Sequence, residues 1–298
     1  MVNHPYPSLS RLSPCSAPVS VAVSGWVTTE LQKLQQLVIA CELCPRLRRH
    51  CEKVAREKRR AYRDWEYWGK PIASFGDPKA RLLIVGLAPA AHGGNRTGRI
   101  FTGDRSGTFL MAAMHRAGFA NKPDSVSRDD GLKLTDAYVT AIARCAPPNN
   151  KPTPKEIQTC LGYLERELDL LPNLRAVLCL GRIAYEGYLK ALERKGHRLS
   201  RAAIPFGHAA THALPAPLPH LVCSYHPSQQ NTQTGKLTAA MMDEVFTQIR
   251  KSSRAPKIPL QKIPLTLPSP PRGEGTTHIR TDRIPLHLCG AREYNLTH

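Results

Sequence analysis

Three groups of residues have the types and spacing to do chemistry. The first are thiols. Cys41 and Cys44 form a C-x-x-C, which brings two thiolates out of one short loop and suits a metal ion or an iron–sulfur cluster. Cys145 follows an apolar run and Cys160 lies in the helical stretch after it. Together the four offer either a [4Fe–4S] site or an all-cysteine zinc site, with Cys51 a rival for one place. Cys179 and Cys223 sit inside apolar runs, where core packing is the expected role. The second group is the glycine-rich segment from Gly86 to Gly107. Its one carboxylate, Asp104, stands among Arg96, Arg99 and Arg105, which are candidates to meet phosphates. The segment lacks the Gly-Lys-Ser/Thr of a phosphate loop and the G-x-G-x-x-G of a dinucleotide fold, and no acidic metal-binding cluster supports a nucleotide hydrolase. The third is His226, which opens a polar loop running to Gly235 and can donate a hydrogen bond or titrate near neutral pH.

The elements that must position these groups alternate. Short apolar runs at 81–86, 137–143, 176–181 and 220–226 read as buried strands. Helical periodicity reads as one helix over 27–49 and as further helices over 109–117, 182–194 and 237–250. Another begins at Thr153-Pro-Lys-Glu156, where Thr caps, Pro fits the first turn and Glu returns the cap. Strands separated by helices predict a three-layer α/β/α fold around a central four-stranded parallel sheet. The loops that follow the strands, where such sheets bind ligands, hold Asp104, Cys145 with Asn149 and Asn150, and His226. Residues 1–25 read as a loose arm, 26–250 as the folded domain and 251–298, punctuated by proline, as a disordered tail.

Forty-two Lys plus Arg against 23 Asp plus Glu give a formal charge of +19, a surface that seeks polyanions such as nucleic acid. The basic stretch from Arg46 to Arg63 is interleaved with His50 and Tyr62. No apolar run approaches membrane-spanning length and no signal peptide is apparent, so the expectation is a cytoplasmic protein, with its nine cysteines reduced or ligating rather than paired in disulfides.

Taken together, the segments resemble the uracil-DNA glycosylase superfamily, and in particular its iron–sulfur branch called family 5, or type b. The resemblance rests on Gly86-Leu-Ala-Pro-Ala90 with Thr97 to Gly107, on Arg144 to Pro154, on His226 to Gly235, and on Cys41, Cys44, Cys145 and Cys160 at the family's cluster spacing. It spans roughly 27–250. It implies a monofunctional enzyme, most simply a monomer associated with the nucleoid, that extracts a base from DNA and hydrolyses its glycosidic bond. It implies that Gly86 and Ala88 shape the base pocket, that Phe101 stacks on the base and that Asp104 positions water. It further implies that Asn150, or Asn149 beside it, is a polar site residue and that His226 donates to the departing base. Where the related family 4 has a glutamate after the first glycine and an asparagine at the end of the second strand, this chain has Leu87 and Ala141. That implies looser reading of the uracil edge. The competing reading is a non-catalytic nucleic-acid-binding protein with structural zinc on the same thiols.

Overall fold

The computed structural model describes residues 23–254. The arm and tail expected from the sequence lie outside these residues except at their inner ends, which are helical.

The sheet is built from β1 (Phe75–Gly76), β2 (Leu82–Gly86), β3 (Ala137–Ala141), β4 (Ala176–Leu180), β5 (Thr211–His212) and β6 (His220–Ser224), in the order β1-β3-β2-β4-β6-β5. Its four inner strands are the four expected ones and run parallel. The edges β1 and β5 run antiparallel and are too short for periodicity to reveal. Every residue of β2, β3 and β4 is buried, so successive side chains feed two cores. Leu82, Ile84, Val139, Leu178 and Val222 face α4 (Arg105–Arg116) and α8 (Ala239–Arg254). Leu83, Val85, Val177, Cys179, Leu221 and Cys223 face α1 (Val23–Ile39), α5 (Pro154–Leu170) and α6 (Arg182–Arg194). The sequence places helices on both faces, and the fold is the three-layer α/β/α arrangement expected.

The helix expected over 27–49 is two helices, α1 and α2 (Pro45–Glu57). Pro45 forces the break. The ring of a proline excludes helical backbone from the residue before it, and Cys44 is extended, with φ −120° and ψ 81°. The C-x-x-C therefore lies in the turn between the helices. Two short helices, α3 (Gly94–Thr97) and α7 (Gln229–Gln233), are polar or glycine-containing and had no apolar stripe to announce them. The capping box at α5 forms as read: Thr153 Oγ1 accepts from the Glu156 amide at 3.3 Å and Glu156 Oε2 accepts from the Thr153 amide at 2.7 Å.

One buried polar network ties the layers together. Arg144, immediately after β3, is 1% exposed and pairs at 2.7 Å with Glu167 of α5, itself 2% exposed. Ser74 and Thr140 donate to the same carboxylate at 2.6 and 2.7 Å, and Arg144 also donates to Ser74. Gln35 of α1 donates at 3.1 Å both to the Ser74 carbonyl and to the Tyr138 hydroxyl. Removing one partner of such a pair strands the other charge in the core, at a cost of about 3–5 kcal/mol. Arg144→Met should therefore lower unfolding stability in urea by roughly that amount, and Arg144→Met with Glu167→Leu should recover much of the loss. A single variant as stable as the natural chain would refute this role.

Candidate active site and thiol centre

The chain leaves β2 at Gly86, which pairs in register with Ala141 at the end of β3. Pairing continues beyond the strands, because Ile142 and Ala143 donate to the Gly86 and Leu87 carbonyls at 3.0 Å. The aromatic ring of Phe101 lies directly over this pair: a Cβ added at Gly86 would come within 2.8 Å of it. Phe101 holds a φ of +50°, a backbone conformation unfavourable for an aromatic residue and one that needs firm support from its surroundings. The support is visible. Arg99, 5% exposed, donates to Ser125 at 2.8 Å and Thr102 at 3.0 Å and pairs with Asp130 at 2.7 Å. Burial alone would push the Asp130 carboxyl up, but Arg99 and the amides of Leu132 and Val126 outweigh it and hold it at about 2.

Asp104 begins α4. Its side chain accepts from the Gly107 amide at 2.8 Å, capping the helix, so the same carboxylate closes the loop. Oδ2 lies so close to Gly93 that a Cβ there would stand 2.0 Å from it. Asp104 is half-buried, and burial raises its proton affinity, only partly offset by the amides of Gly107 and Ser106 and by Arg96.

His226 follows β6. Its ring centroid lies 6.1 Å from that of Phe101, tilted by 32°. Burial lowers its pKa from 6.5 to about 4, which leaves a neutral imidazole with one donor and one acceptor at neutral pH. Asn231 in α7 holds its carbonyl at 2.8 Å. The structure thus brings together Gly86, Phe101 and His226, with Ala88 half-buried in the same loop. Asn149 and Asn150 are placed differently: both are exposed, with φ of +54° and +56°, in a 3-10 turn after β3.

Two of the three arginines expected to meet phosphates do not face solvent. Arg96 and Arg99 are 3% and 5% exposed and serve the loop itself, and only Arg105 is exposed. Arg96 donates to the His92 and Gly103 carbonyls at 2.8 and 2.7 Å and is stacked on Tyr62 and Trp65, 4.0 and 4.1 Å from their ring centres. Sequence reading missed this support. The aromatic residues scattered through the basic stretch were the available signal.

The thiols converge at the turn between α1 and α2, the end of β3 and the first turns of α5. Cys145 and Cys160 are buried, whereas Cys41 and Cys44 are partly so. Burial pushes the Cys160 thiol up to about 12, and Cys145 and Cys41 add their repulsion to it. Burial likewise raises Cys44, again with Cys145 and Cys41 contributing. Cys44 and Cys160 thus each lie within electrostatic reach of Cys41 and Cys145. The buried Cys51 stands beside Cys145 and donates to the Ala146 carbonyl at 3.6 Å. Arg46 clamps this region by a two-pronged pair with Glu156, at 2.8 and 2.7 Å. No three His, Cys, Asp or Glu side chains among the described residues close around a single metal ion. A set of four thiols is nevertheless one that suits an iron–sulfur cluster. As expected, Cys179 and Cys223 lie fully buried in neighbouring strands.

A largely parallel sheet with an aromatic ring and a histidine beyond its strand ends is an α/β arrangement suited to holding a ligand at that end of the sheet. Residues 73–250 match the family model described as the uracil DNA glycosylase superfamily, and the chain belongs to that superfamily. It is 50% identical over 216 residues to the type-5 uracil-DNA glycosylase of Thermus thermophilus, covering 72% of this chain and 95% of that one. It is 42% identical over 222 residues to the type-5 enzyme of Pyrobaculum aerophilum, covering 74% and 91%. The type-4 enzyme of the same organism is more distant, 27% identical over 171 residues, covering 57% and 70%.

Two outcomes are expected from this geometry. Gly93→Ala should displace Asp104 and lower activity at least as far as Asp104→Asn does, with α-helical circular dichroism unchanged; an active Gly93→Ala enzyme would refute the close approach. For His226, the folded chain resists protonation until about pH 4, whereas the unfolded chain takes the proton near 6.5. The unfolded state therefore binds more protons between these values, and the His226 contribution to stability falls as pH drops through that window. Thermal melts at pH 5 and pH 7 should differ less for His226→Gln than for the natural chain.

Proposed function

We propose that residues 26–250 form a monofunctional DNA glycosylase of base excision repair, flanked by an arm (1–25) and a tail (251–298). It hydrolyses the N-glycosidic bond of uracil, and of other deaminated bases, to leave an abasic site. The observation that carries this reading is the grouping of Phe101, neutral His226 and the Gly86–Ala141 strand ends, beside the α4-capping Asp104, in a chain half identical to a type-5 uracil-DNA glycosylase. The enzyme binds DNA, consistent with its charge of +19. We assign it to act as a monomer on duplex DNA with the target base flipped out, single-stranded DNA being the alternative substrate, in the cytoplasm and in association with the nucleoid. Among the described residues no helix is long and apolar enough to cross a membrane.

The roles follow from the chemistry. The extracted base stacks on Phe101, whose ring lies over Gly86. Gly86, Ala88 and Ala141 offer little polar discrimination at the pocket end, which suits a broad base preference. As the glycosidic bond breaks, negative charge grows on a carbonyl oxygen of the base, and the one N–H of neutral His226 donates to it. Asp104, with its raised proton affinity, orients water and accepts its proton while opposing the positive charge on the sugar. Asn150, or Asn149, supplies a polar contact from the loop after β3. No lysine is assigned to a Schiff base, so strand cleavage is not part of the reaction.

Cys41, Cys44, Cys145 and Cys160 hold a [4Fe–4S] cluster in this reading. When bound it supplies a brace joining α1, α2, β3 and α5, not a step of the reaction. Nothing in the relatives or in the thiol arrangement favours the zinc alternative.

The purified protein should release uracil from a G·U duplex. Loss of the His226 donor should cost about 10²–10³ in rate, as loss of one such donor typically does. Full activity in a chain carrying both Asp104→Ala and His226→Ala would overturn the site. Iron and acid-labile sulfide should appear in equal amounts and be lost in Cys145→Ser; zinc alone would overturn the cluster.

A further inference from the structure

An opening lies beside His226, with Leu87 of the first loop also in its lining. It is a cavity of about 510 Å³ over the ends of β4 and β6, and none of Gly86, Ala88, Phe101 or Asp104 lines it. Its floor is apolar, with Leu180 and Ala184, and Phe206 and Tyr225 stand in its walls. Each of these rings is backed by another. Tyr185 packs against Phe206 with centroids 5.5 Å apart, and His208 stacks on Tyr225 at 5.1 Å and 27°. The walls are therefore held in place before anything enters. Each ring also carries an exposed cation, Arg182 at 5.1 Å from the Phe206 centre and Lys236 at 5.0 Å from that of Tyr225.

This combination selects a ligand. A purely apolar guest has no need of the two cations, and a lone phosphate has no need of fixed aromatic walls. A nucleotide needs both: its base stacks on a ring and its phosphate meets the cations. An exposed cation over a half-buried ring is held less strongly than a stacked base, so Arg182 and Lys236 can exchange ring for phosphate as the base enters. His226 lines this cavity and also faces Phe101, so a guest here is separated from the target base by one side chain.

We propose that the cavity receives a nucleotide adjacent to the target in the same DNA strand, with its base stacked on Phe206 or Tyr225 and its phosphate held by Arg182 and Lys236. This rests on the reading of His226 as the donor to the departing base. It makes the enzyme sensitive to how readily the neighbouring base leaves its own stack, a second determinant besides the target.

The test uses the full chain and an oligonucleotide carrying 2′-fluoro-deoxyuridine, which resists excision. The base at each of the two positions on either side is replaced in turn by an abasic tetrahydrofuran. Removing the base at one position should weaken binding about tenfold, the scale of one stacked base. That loss should vanish in Phe206→Leu or Tyr225→Leu. Equal affinity across the whole series, or the same loss persisting in both variants, overturns the proposal. Arg182→Gln with Lys236→Gln, both at exposed sites, keeps the test open should a ring variant fail to fold. This pair must lower the slope of log Kd against log salt by about 1 to 2, and an unchanged slope overturns the phosphate contact. Uracil release from a plain G·U duplex is measured in parallel. Release with a flat series refutes this subsite alone, whereas no release refutes the reading of the catalytic site.

Discussion

The Arg144–Glu167 ion pair is the contact on which the rest of the described structure depends. Two charges about 1–2% exposed are tolerable in a core only if nearly every lone pair and N–H around them is used. Meeting that demand recruits Ser74 ahead of β1, Thr140 of β3 and, through Ser74 and Tyr138, Gln35 of α1. The pair thus fixes α1, β3 and α5 at one point. The ends of those elements carry the thiols: Cys41 just after α1, Cys145 next to Arg144 itself, and Cys160 one face along α5. The guanidinium also lies close enough to Cys160 to oppose the rise in its pKa. A polar network in the core and a thiol centre at its rim are one construction, the first positioning the second.

The candidate active site has a different logic. It stands on backbone shape more than on charge. Phe101 keeps a left-handed backbone because Arg99 clamps the loop to the 125–130 segment, and Asp104 keeps its place because Gly93 leaves it room. Arg96, wedged between the carbonyls of His92 and Gly103 and the rings of Tyr62 and Trp65, joins this loop to the basic segment after α2. Arginines that the sequence offers as phosphate ligands are thereby spent on architecture. A buried guanidinium with carbonyl partners holds a loop more firmly than apolar contacts alone, because leaving those partners unpaired is costly. Support of this kind lets a short, glycine-rich segment present an aromatic ring and a carboxylate in fixed positions. Partial burial likewise disfavours the charged form of His226 and keeps its ring neutral to lower pH.

Much of this was legible in the sequence, and the reasons are local. Apolar runs buried on both faces announced the four parallel strands, and Thr153 with Glu156 announced the start of α5. Position after a strand put Asp104 and His226 in ligand-end loops, and only the resemblance of the surrounding motifs gave them roles. Other features were not legible because their cause lies far away along the chain. The edge strands β1 and β5 exist only because a neighbour pairs with them. The split between α1 and α2 was signalled locally by Pro45, yet helical periodicity on both sides hid it. Whether Arg96 and Arg99 reach solvent or a carbonyl depends on residues up to the 125–130 loop, which no spacing rule connects to them.

The sequence by itself determined the class of fold, the order of its four inner strands and the residue types available for chemistry, because strand burial, caps and glycine-rich turns are written over a few consecutive positions. Tertiary structure alone decided which cations remain for a polyanion, which thiols share one place and whether His226 carries a charge. Those properties arise from desolvation and from partners distant in sequence, and they come into being only when the chain encloses them.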